Sequence, residues 1–207
     1  SALQIQIDNL RHHDRDGRFS QRLTELEAGI GRATSLVNKL LRLARYDAQE
    51  PAPATQSIDL VQLAFDIVAR LTPLAESRQI DLGITRQDKA TVVGSLSDFE
   101  IILGNLMENA VRYTPLGGTV DVAVAVCGQE ARVDVRDTGP GIDEEEMPRV
   151  FERFFRASPQ DSEGSGLGLA IAKAAAERQG VGLTLAMRED GPGLVASLVV
   201  RAALLRA

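Results

Sequence analysis

The most constraining feature of this sequence is a strand that ends in an aspartate and a glycine-rich turn, at residues 133–141 (V-D-V-R-D-T-G-P-G). Val133 and Val135 alternate with polar neighbours, which predicts a strand with one buried face. After Asp137, Gly139 and Gly141 allow the backbone to approach a ligand closely. The pattern indicates a small-molecule site, although an ordinary Asp-Gly turn would contain the same residues.

A predicted helix precedes this strand at residues 95–114. It begins with cap-like serines, carries apolar residues at helical spacing, and ends before a proline and a glycine pair. Asn105, Asn109, Arg112 and Tyr113 fall on one side of it. Because asparagine is unfavourable inside helices, two of them one turn apart indicate either a functional face or simple exposure to solvent.

A second glycine-rich segment, residues 164–172 (G-S-G-L-G-L-A-I-A), leads into another predicted helix. Its alternating glycines leave backbone N–H groups uncovered, and the N-terminus of a helix favours anions. The segment therefore predicts a phosphate site. It is not a P-loop, because no G-K-[ST] follows, and no strand leads directly into it as a dinucleotide fingerprint requires.

Four motifs in this order resemble the ATP-binding domain of sensor histidine kinases, which belongs to the ATPase superfamily that includes gyrase and MutL. Residues 105–113 (N-L-M-E-N-A-V-R-Y) match the N box of that family, and residues 137–141 match its first glycine box. The F box is matched by residues 151–156 (F-E-R-F-F-R), and the second glycine box by residues 164–169. The resemblance covers roughly residues 55–200.

The resemblance implies binding of ATP and Mg²⁺. Asp137 would accept a hydrogen bond from the adenine amine, whereas the carbonyl of guanine would face the carboxylate at a cost of about 1–3 kcal/mol. Asn109 would coordinate Mg²⁺ through its amide oxygen. Arg112 would lie near the phosphates, Tyr113 against the base, and Arg156 is a candidate for the γ-phosphate. The full set of implied nucleotide-binding residues is Asn105, Asn109, Arg112, Tyr113, Asp137, Gly139, Gly141, Ile142, Arg156, Gly164, Gly166, Leu167 and Gly168.

The first 49 residues carry a heptad pattern. Its apolar positions are Leu23, Leu26, Ile30, Ala33, Val37, Leu40 and Ala44, and the same spacing precedes a break at Asp14–Gly17. The pattern predicts an antiparallel helical hairpin, whose apolar stripe is too small to be stable alone. We therefore expect a homodimer in which two hairpins form a four-helix bundle. This hairpin resembles the dimerisation and phosphotransfer domain of the same kinases.

The hairpin departs from that family in its first helix. The family's H box reads H-E-L-R-T-P-L, with the histidine as phospho-acceptor, and the 207 residues do not contain it. The expectation is an acceptor histidine upstream of Ser1, and a chain that holds nucleotide without completing the transfer. His12 and His13 are followed by D-R-D-G and are predicted to be solvated residues of the hairpin turn.

Composition restricts the remaining possibilities. A formal net charge of −6 argues against a nucleic-acid partner, which requires a basic surface. The single cysteine, Cys127, excludes an intramolecular disulfide and is expected to pack as a small hydrophobe. No apolar run approaches the roughly 20 residues that span a bilayer, so the chain is expected to be soluble. The resemblance implies a cytoplasmic portion of a parent protein anchored in the bacterial inner membrane by upstream segments.

The predicted fold class is α+β: a helical hairpin at residues 1–49, a linker at 50–57, and an α/β sandwich at 58–207 whose mixed sheet has helices on one face. Residues 157–163 are predicted to form a mobile lid. The resemblance implies a histidine kinase that passes phosphate to an aspartate on a response regulator receiver domain. Two alternatives remain open. One is an ATPase or serine kinase that uses Glu108 as a base, and the other is a structural dimer with a vestigial pocket.

Overall fold

The computed structural model describes residues 20–48, 54–157, 164–201 and 205–206. The chain divides into two compact units, residues 1–44 and 45–207. The lid predicted at residues 157–163, apart from Ala157, lies outside the described residues, and so do His12, His13 and the first arm of the predicted hairpin.

The described part of the first unit lies in one long helix, α1 (Ser20–Asp47), whose last three residues belong to the second unit. Several side chains of its heptad stripe are half exposed in the single chain: Leu26 at 50%, Val37 at 54% and Leu40 at 41%. Exposed apolar side chains at this spacing are typical of a helix that packs against others. The four-helix bundle stays a prediction.

The second unit contains eight strands and three α-helices among the described residues. In chain order they are β1 (Gln56–Asp59), α2 (Leu60–Ser77), β2 (Asp81–Gln87), β3 (Thr91–Gly94), α3 (Leu96–Tyr113), β4 (Thr119–Cys127), β5 (Glu130–Asp137), α4 (Gly168–Gln179), β6 (Gly182–Met187), β7 (Leu194–Arg201) and β8 (Leu205–Arg206). A 3₁₀ turn covers Met147–Arg149.

A five-stranded mixed sheet in the order β2-β4-β5-β7-β6 forms the centre of the second unit. The β2–β4 pair is parallel and the other pairs are antiparallel. In the register of β5, Val133 lies opposite Val124 of β4 and Leu198 of β7, so the buried residues of neighbouring strands share a face. A smaller antiparallel sheet joins β1, β3 and β8.

The three helices pack on the apolar face of the five-stranded sheet. Phe99, Ile102 and Leu106 of α3 are almost fully buried in one core with Val133 of β5 and Leu198 of β7. Burial of side chains of this size is the main source of folding free energy, at about 1.5–3 kcal/mol each. The predicted α/β sandwich with a mixed sheet and helices on one face is confirmed.

The limits of α3 agree with the capping signals in the sequence. Ser95 is the N-cap, and its hydroxyl accepts from the backbone N–H of Asp98. Thr114 is the C-cap: it adopts an extended conformation directly before Pro115, while its hydroxyl and its backbone N–H both donate to the carbonyl of Ala110. The prediction for Cys127 is wrong: the thiol is exposed, because this residue ends β4 beside a tight turn and lies beyond the core.

Candidate functional site

The Asp137 carboxylate lies at the end of β5 and is only 7% exposed. Its Oδ1 accepts hydrogen bonds from the backbone N–H groups of Gly139, at 2.8 Å, and Leu194, at 3.3 Å. A Cβ on Gly139 would lie 2.7 Å from this oxygen, so the turn requires glycine. Both bonds go to Oδ1, and Oδ2 has no donor among the described residues, which leaves it available to a ligand.

Burial raises the pKa of Asp137 above its ordinary value. The hydrogen bonds from Gly139 and Leu194 and the positive charge of Arg188 oppose this rise without cancelling it. Arg188 is itself paired with Asp190, at 2.9 Å, and donates to the backbone carbonyl of Asp137, at 3.2 Å. The carboxylate is therefore a strong acceptor held in an unfavourable, largely apolar position.

Asp137 lines a cavity of about 140 Å³ between the sheet and the ends of α3 and α4. Most of the lining is apolar and comes from α3, β5, α4 and the β6–β7 hairpin, while the polar side chains are few. The lining residues are Leu106, Asn109, Ala110, Tyr113, Val135, Asp137, Pro140, Gly141, Ile142, Val150, Phe155, Arg156, Ala157, Leu169, Leu185, Leu194 and Ala196. A largely apolar cavity with a few polar groups is the usual form of a small-molecule site.

Arg156 places a positive charge at this cavity. Its Nε and Nη2 atoms are buried and have no hydrogen-bond partner in the part of the chain that the structure describes. Ser165 Oγ is also buried and has no hydrogen-bond partner among the described residues. Because buried polar atoms without partners are costly, the region beside Arg156 is suited to an anion.

The two asparagines of α3 face the start of α4. Asn105 donates through Nδ2 to the carbonyl of Ile101, at 2.7 Å. A Cβ on Gly168 would lie 3.0 Å from Asn105 Oδ1 and 3.5 Å from Asn109 Oδ1. The amide oxygens thus approach the backbone where α4 begins, and simple exposure to solvent does not explain these residues.

Arg112 is held by its own helix. Its Nε donates to Glu108 Oε1 at 2.9 Å, an i, i+4 pair in which both side chains are about one-third exposed. Arg112 does not belong to the cavity lining. The pairing also neutralises Glu108, which weakens the interpretation of this glutamate as a general base.

The second glycine-rich segment packs closely against the loop that carries Arg156. Gly166 has a positive φ of 65°, and a Cβ there would lie 2.7 Å from the carbonyl carbon of Phe154. The N–H of Phe154 donates to the carbonyl of Gly166, at 2.9 Å. Gly164 lies close to the other side of the cavity, where its Cβ would be 3.4 Å from Tyr113 Oη. Leu167 is fully buried directly before α4.

Most of the predicted site residues therefore meet at one place. Asn109, Tyr113, Asp137, Gly141, Ile142 and Arg156 line the cavity, while Asn105, Gly139, Gly164, Gly166 and Gly168 contact or adjoin lining residues. Arg112 and Leu167 are not brought to its surface.

Several contributions from the β6–β7 hairpin were not predicted, and two of them are hydrogen bonds. Leu194 supplies a backbone donor to Asp137, and Met187 accepts from the N–H of Ile142 at 3.5 Å. The only signal for them was the strand-turn-strand pattern, which does not reveal the register.

The part of the chain that the structure describes contains no group of three or more His, Cys, Asp or Glu side chains that could hold a metal ion. Mg²⁺ prefers oxygen ligands in octahedral geometry and is often bound by one or two protein groups together with phosphates and water. A single amide oxygen from Asn109 fits such a shared site.

Within the described residues, no helix is long and apolar enough to cross a membrane.

Comparisons with known proteins agree with this geometry. Residues 94–203, more than half of the chain, match the family described as histidine kinase-, DNA gyrase B-, and HSP90-like ATPases. The sensor protein kinase PmrB of Pseudomonas aeruginosa is 35% identical over 83% of this chain and 36% of its own length. Sensor protein QseC of Escherichia coli is 33% identical over 92% of this chain and 42% of its own length. This chain thus spans well under half of these relatives.

A solved structure, full-length ShkA in complex with AMPPNP, is also similar. It is 25% identical and has a TM-score of 0.77 over 91% of this chain and 39% of that one.

The raised pKa of Asp137 leads to a prediction about stability. The ionised carboxylate opposes folding at every pH above its unfolded pKa, and this penalty is relieved as the pH falls through the raised folded pKa. Asp137→Asn keeps an acceptor for Gly139 and Leu194 and removes the buried charge. We expect an unchanged or higher free energy of unfolding at pH 7, with the advantage lost in acid.

Asp134→Asn on the same strand is the control, measured in the same urea titrations. The Asp134 carboxylate accepts from Ser197, at 2.6 Å, and from Arg132, at 2.5 Å. The free energy of unfolding of this variant should therefore be about 1 kcal/mol lower than that of the wild type. An equal decrease in the free energy of unfolding of the two variants would contradict the assignment of Asp137 as a carboxylate whose burial opposes folding.

Proposed function

Because this chain belongs to the family of histidine kinase-, DNA gyrase B- and HSP90-like ATPases and contains the ATP-binding domain of a two-component sensor kinase, we propose that the Asp137 cavity binds Mg-ATP for phosphorylation of a histidine. The observation that carries the proposal is that two charged side chains with unsatisfied polar atoms line one cavity. Within the described residues, Asp137 Oδ2 has no hydrogen-bond donor, and the buried Nε and Nη2 of Arg156 have no acceptor. Adenine nucleotides present a donor at the base and anions at the other end.

The adenine would enter the apolar part of the cavity with its amine on Asp137 Oδ2. Two acceptors facing each other in a dry cavity cost about 1–3 kcal/mol, so the carboxylate would disfavour a base with a carbonyl at this position. Ile142 and Leu185 would contact the faces of the base, and Tyr113 would lie at its edge as a half-exposed ring.

The phosphates would lie near the start of α4, where uncovered N–H groups and the helix dipole favour negative charge. Arg156 would pair with a phosphate, whose oxygens would accept hydrogen bonds from the buried Nε and Nη2 atoms. Asn109 would supply the protein's oxygen ligand to Mg²⁺, which neutralises phosphate charge when bound. In phosphoryl transfer of this kind, the protein contributes mainly position and charge neutralisation.

The rest of the proposed reaction involves partners. A histidine on the helical hairpin would accept the γ-phosphate, and an aspartate on a response regulator receiver domain would receive it afterwards. We propose that this portion works in the cytoplasm of the bacterial cell as part of a membrane-anchored sensor. PmrB and QseC, which are named as sensor proteins, support this assignment.

The two alternatives are less well supported by the geometry. An ATPase that uses Glu108 as its base would need a free carboxylate, whereas Arg112 holds this one at 2.9 Å. A vestigial pocket would have no reason to keep two buried guanidinium nitrogens that have no acceptor among the described residues, because replacement of Arg156 by an apolar side chain would stabilise the fold.

The phosphorylation proposal is tested with labelled Mg-ATP. The 207-residue chain lacks the H-E-L-R-T-P-L pattern, so we expect no acid-labile phosphohistidine on it. The same chain preceded by such a segment should become labelled, and Asn109→Ala should remove the label through loss of the metal ligand. Acid-labile label on the unextended chain that disappears in His12→Gln or His13→Gln would contradict the proposal. Steady release of phosphate would instead support an ATPase.

We also propose that the half-exposed stripe of α1 forms the dimer. Leu26→Lys with Val37→Lys should give monomers in light scattering, because buried unpaired ammonium groups are costly. Ala28→Lys with Ser35→Lys places the same charges on the outermost heptad positions and should leave the dimer intact. A wild-type chain that is monomeric at tens of micromolar would contradict the bundle.

A further inference from the structure

A second buried carboxylate, Asp98, lies in the first turn of α3 and is fully inaccessible to solvent. Its Oδ1 accepts from Tyr46 Oη, at 2.9 Å, and from Arg178 Nη2. Its Oδ2 accepts from Arg178 Nε, at 3.0 Å, and from Gln179 Nε2, at 2.6 Å. We call Tyr46, Asp98, Arg178 and Gln179 the Asp98 cluster. It compensates the buried charge with donors from the ends of two other helices, α1 and α4.

Gln179 also fastens the end of α4 to the cap of α3. Its Oε1 accepts from the backbone N–H of Ser95, at 3.1 Å, and Ser95 is the N-cap of α3. The side chain thus bridges the first residues of α3 and the last residue of α4. Together with the Arg178–Asp98 ion pair, it fixes how far the two helices can slide along each other.

The opposite end of the same helix pair carries the nucleotide site proposed above. Gly168 starts α4 and Gln179 ends it, so the start of the helix lies about 16 Å from the cluster at 1.5 Å per residue. At that start, the backbone of Gly168 approaches the amide oxygens of Asn105 and Asn109. A shift of α4 along α3 would change the distance between Asn109 and the backbone N–H groups at the start of α4, where the phosphates are proposed to lie.

Tyr46 occupies a special position in the cluster. Its hydroxyl binds Asp98, and its ring lies 4.3 Å from the guanidinium carbon of Arg178 in a cation–π contact. The neighbouring Asp47 pairs with Arg153, at 2.6 Å, three residues before Arg156. The end of α1 therefore contacts both the α3–α4 pair and the loop that carries Arg156.

We propose that Tyr46 is a positioning residue for nucleotide binding. By holding Arg178 on Asp98, Tyr46 fixes the register of α4 against α3. This register sets the position of the backbone at Gly168 relative to Asn105 and Asn109. This inference rests on the proposed function, because it assigns Tyr46 an effect on that nucleotide site. Coupling of this kind is reciprocal, so nucleotide binding must also change the environment of Tyr46.

The affinity for Mg-ATP, measured by calorimetry, tests the first half of the proposal. Tyr46→Ala removes both contacts and should weaken binding about fivefold, within the usual range of coupling between sites. Tyr46→Phe keeps the ring over Arg178 and should restore part of the affinity. Phe65→Ala is the control, because Phe65 is an aromatic residue of α2 that is 42% exposed and should not affect binding. Wild-type affinity in Tyr46→Ala would overturn the proposal.

Fluorine NMR tests the reciprocal half, because the chain contains two tyrosines, Tyr46 and Tyr113, and no tryptophan. In protein labelled with 3-fluorotyrosine, Tyr46→Phe assigns the two resonances. Saturating Mg-ATP should move the Tyr113 resonance at the site and the Tyr46 resonance at a distance, which a merely structural role would not produce. Movement of Tyr113 alone would overturn the positioning role and leave the proposed function standing. No binding in either measurement would overturn both.

Discussion

The N–H groups of Gly139 and Leu194 both donate to the same oxygen of Asp137, and this arrangement determines the chemistry of the cavity. One donor comes from the glycine turn after β5 and the other from the start of β7. The carboxylate is fixed, and only its second oxygen stays available to a ligand. Burial raises the pKa of Asp137, and the fold tolerates the free-energy cost of burying the ionised carboxylate. Perturbed carboxylates of this kind are typical of functional positions.

The polar groups at the cavity are satisfied only when a ligand is included. Among the described residues, Asp137 Oδ2 has no hydrogen-bond donor, and two buried guanidinium nitrogens of Arg156 have no acceptor. By contrast, Asp98 is even more deeply buried and is fully compensated by Arg178, Gln179 and Tyr46. Asp98 therefore stabilises the fold, whereas Asp137 keeps one oxygen for a ligand. This contrast supports the proposed site better than the motifs alone.

Local signals predicted much of this structure, and contacts between distant residues account for what they missed. The limits of α3 follow from the N-cap at Ser95 and from Pro115 directly after the C-cap, which act within one turn of helix. Asp137 could be found because strand and turn are adjacent in sequence. The donor at Leu194 could not, because it depends on the register of β7 against β5. Cys127 was misassigned because hydrophobicity does not show where a strand leaves the core.

The central claim is that Asp137 Oδ2 reads the amine of adenine, and titration with ADP and IDP tests it most directly. In Asp137→Asn, the two backbone donors would keep the amide oxygen at the Oδ1 position and leave the amide nitrogen facing the base. We predict that the wild type binds ADP at least tenfold more tightly than IDP, as expected for about 1.4 kcal/mol or more, and that the variant reverses the preference. Equal affinity of the wild type for both nucleotides would contradict the account.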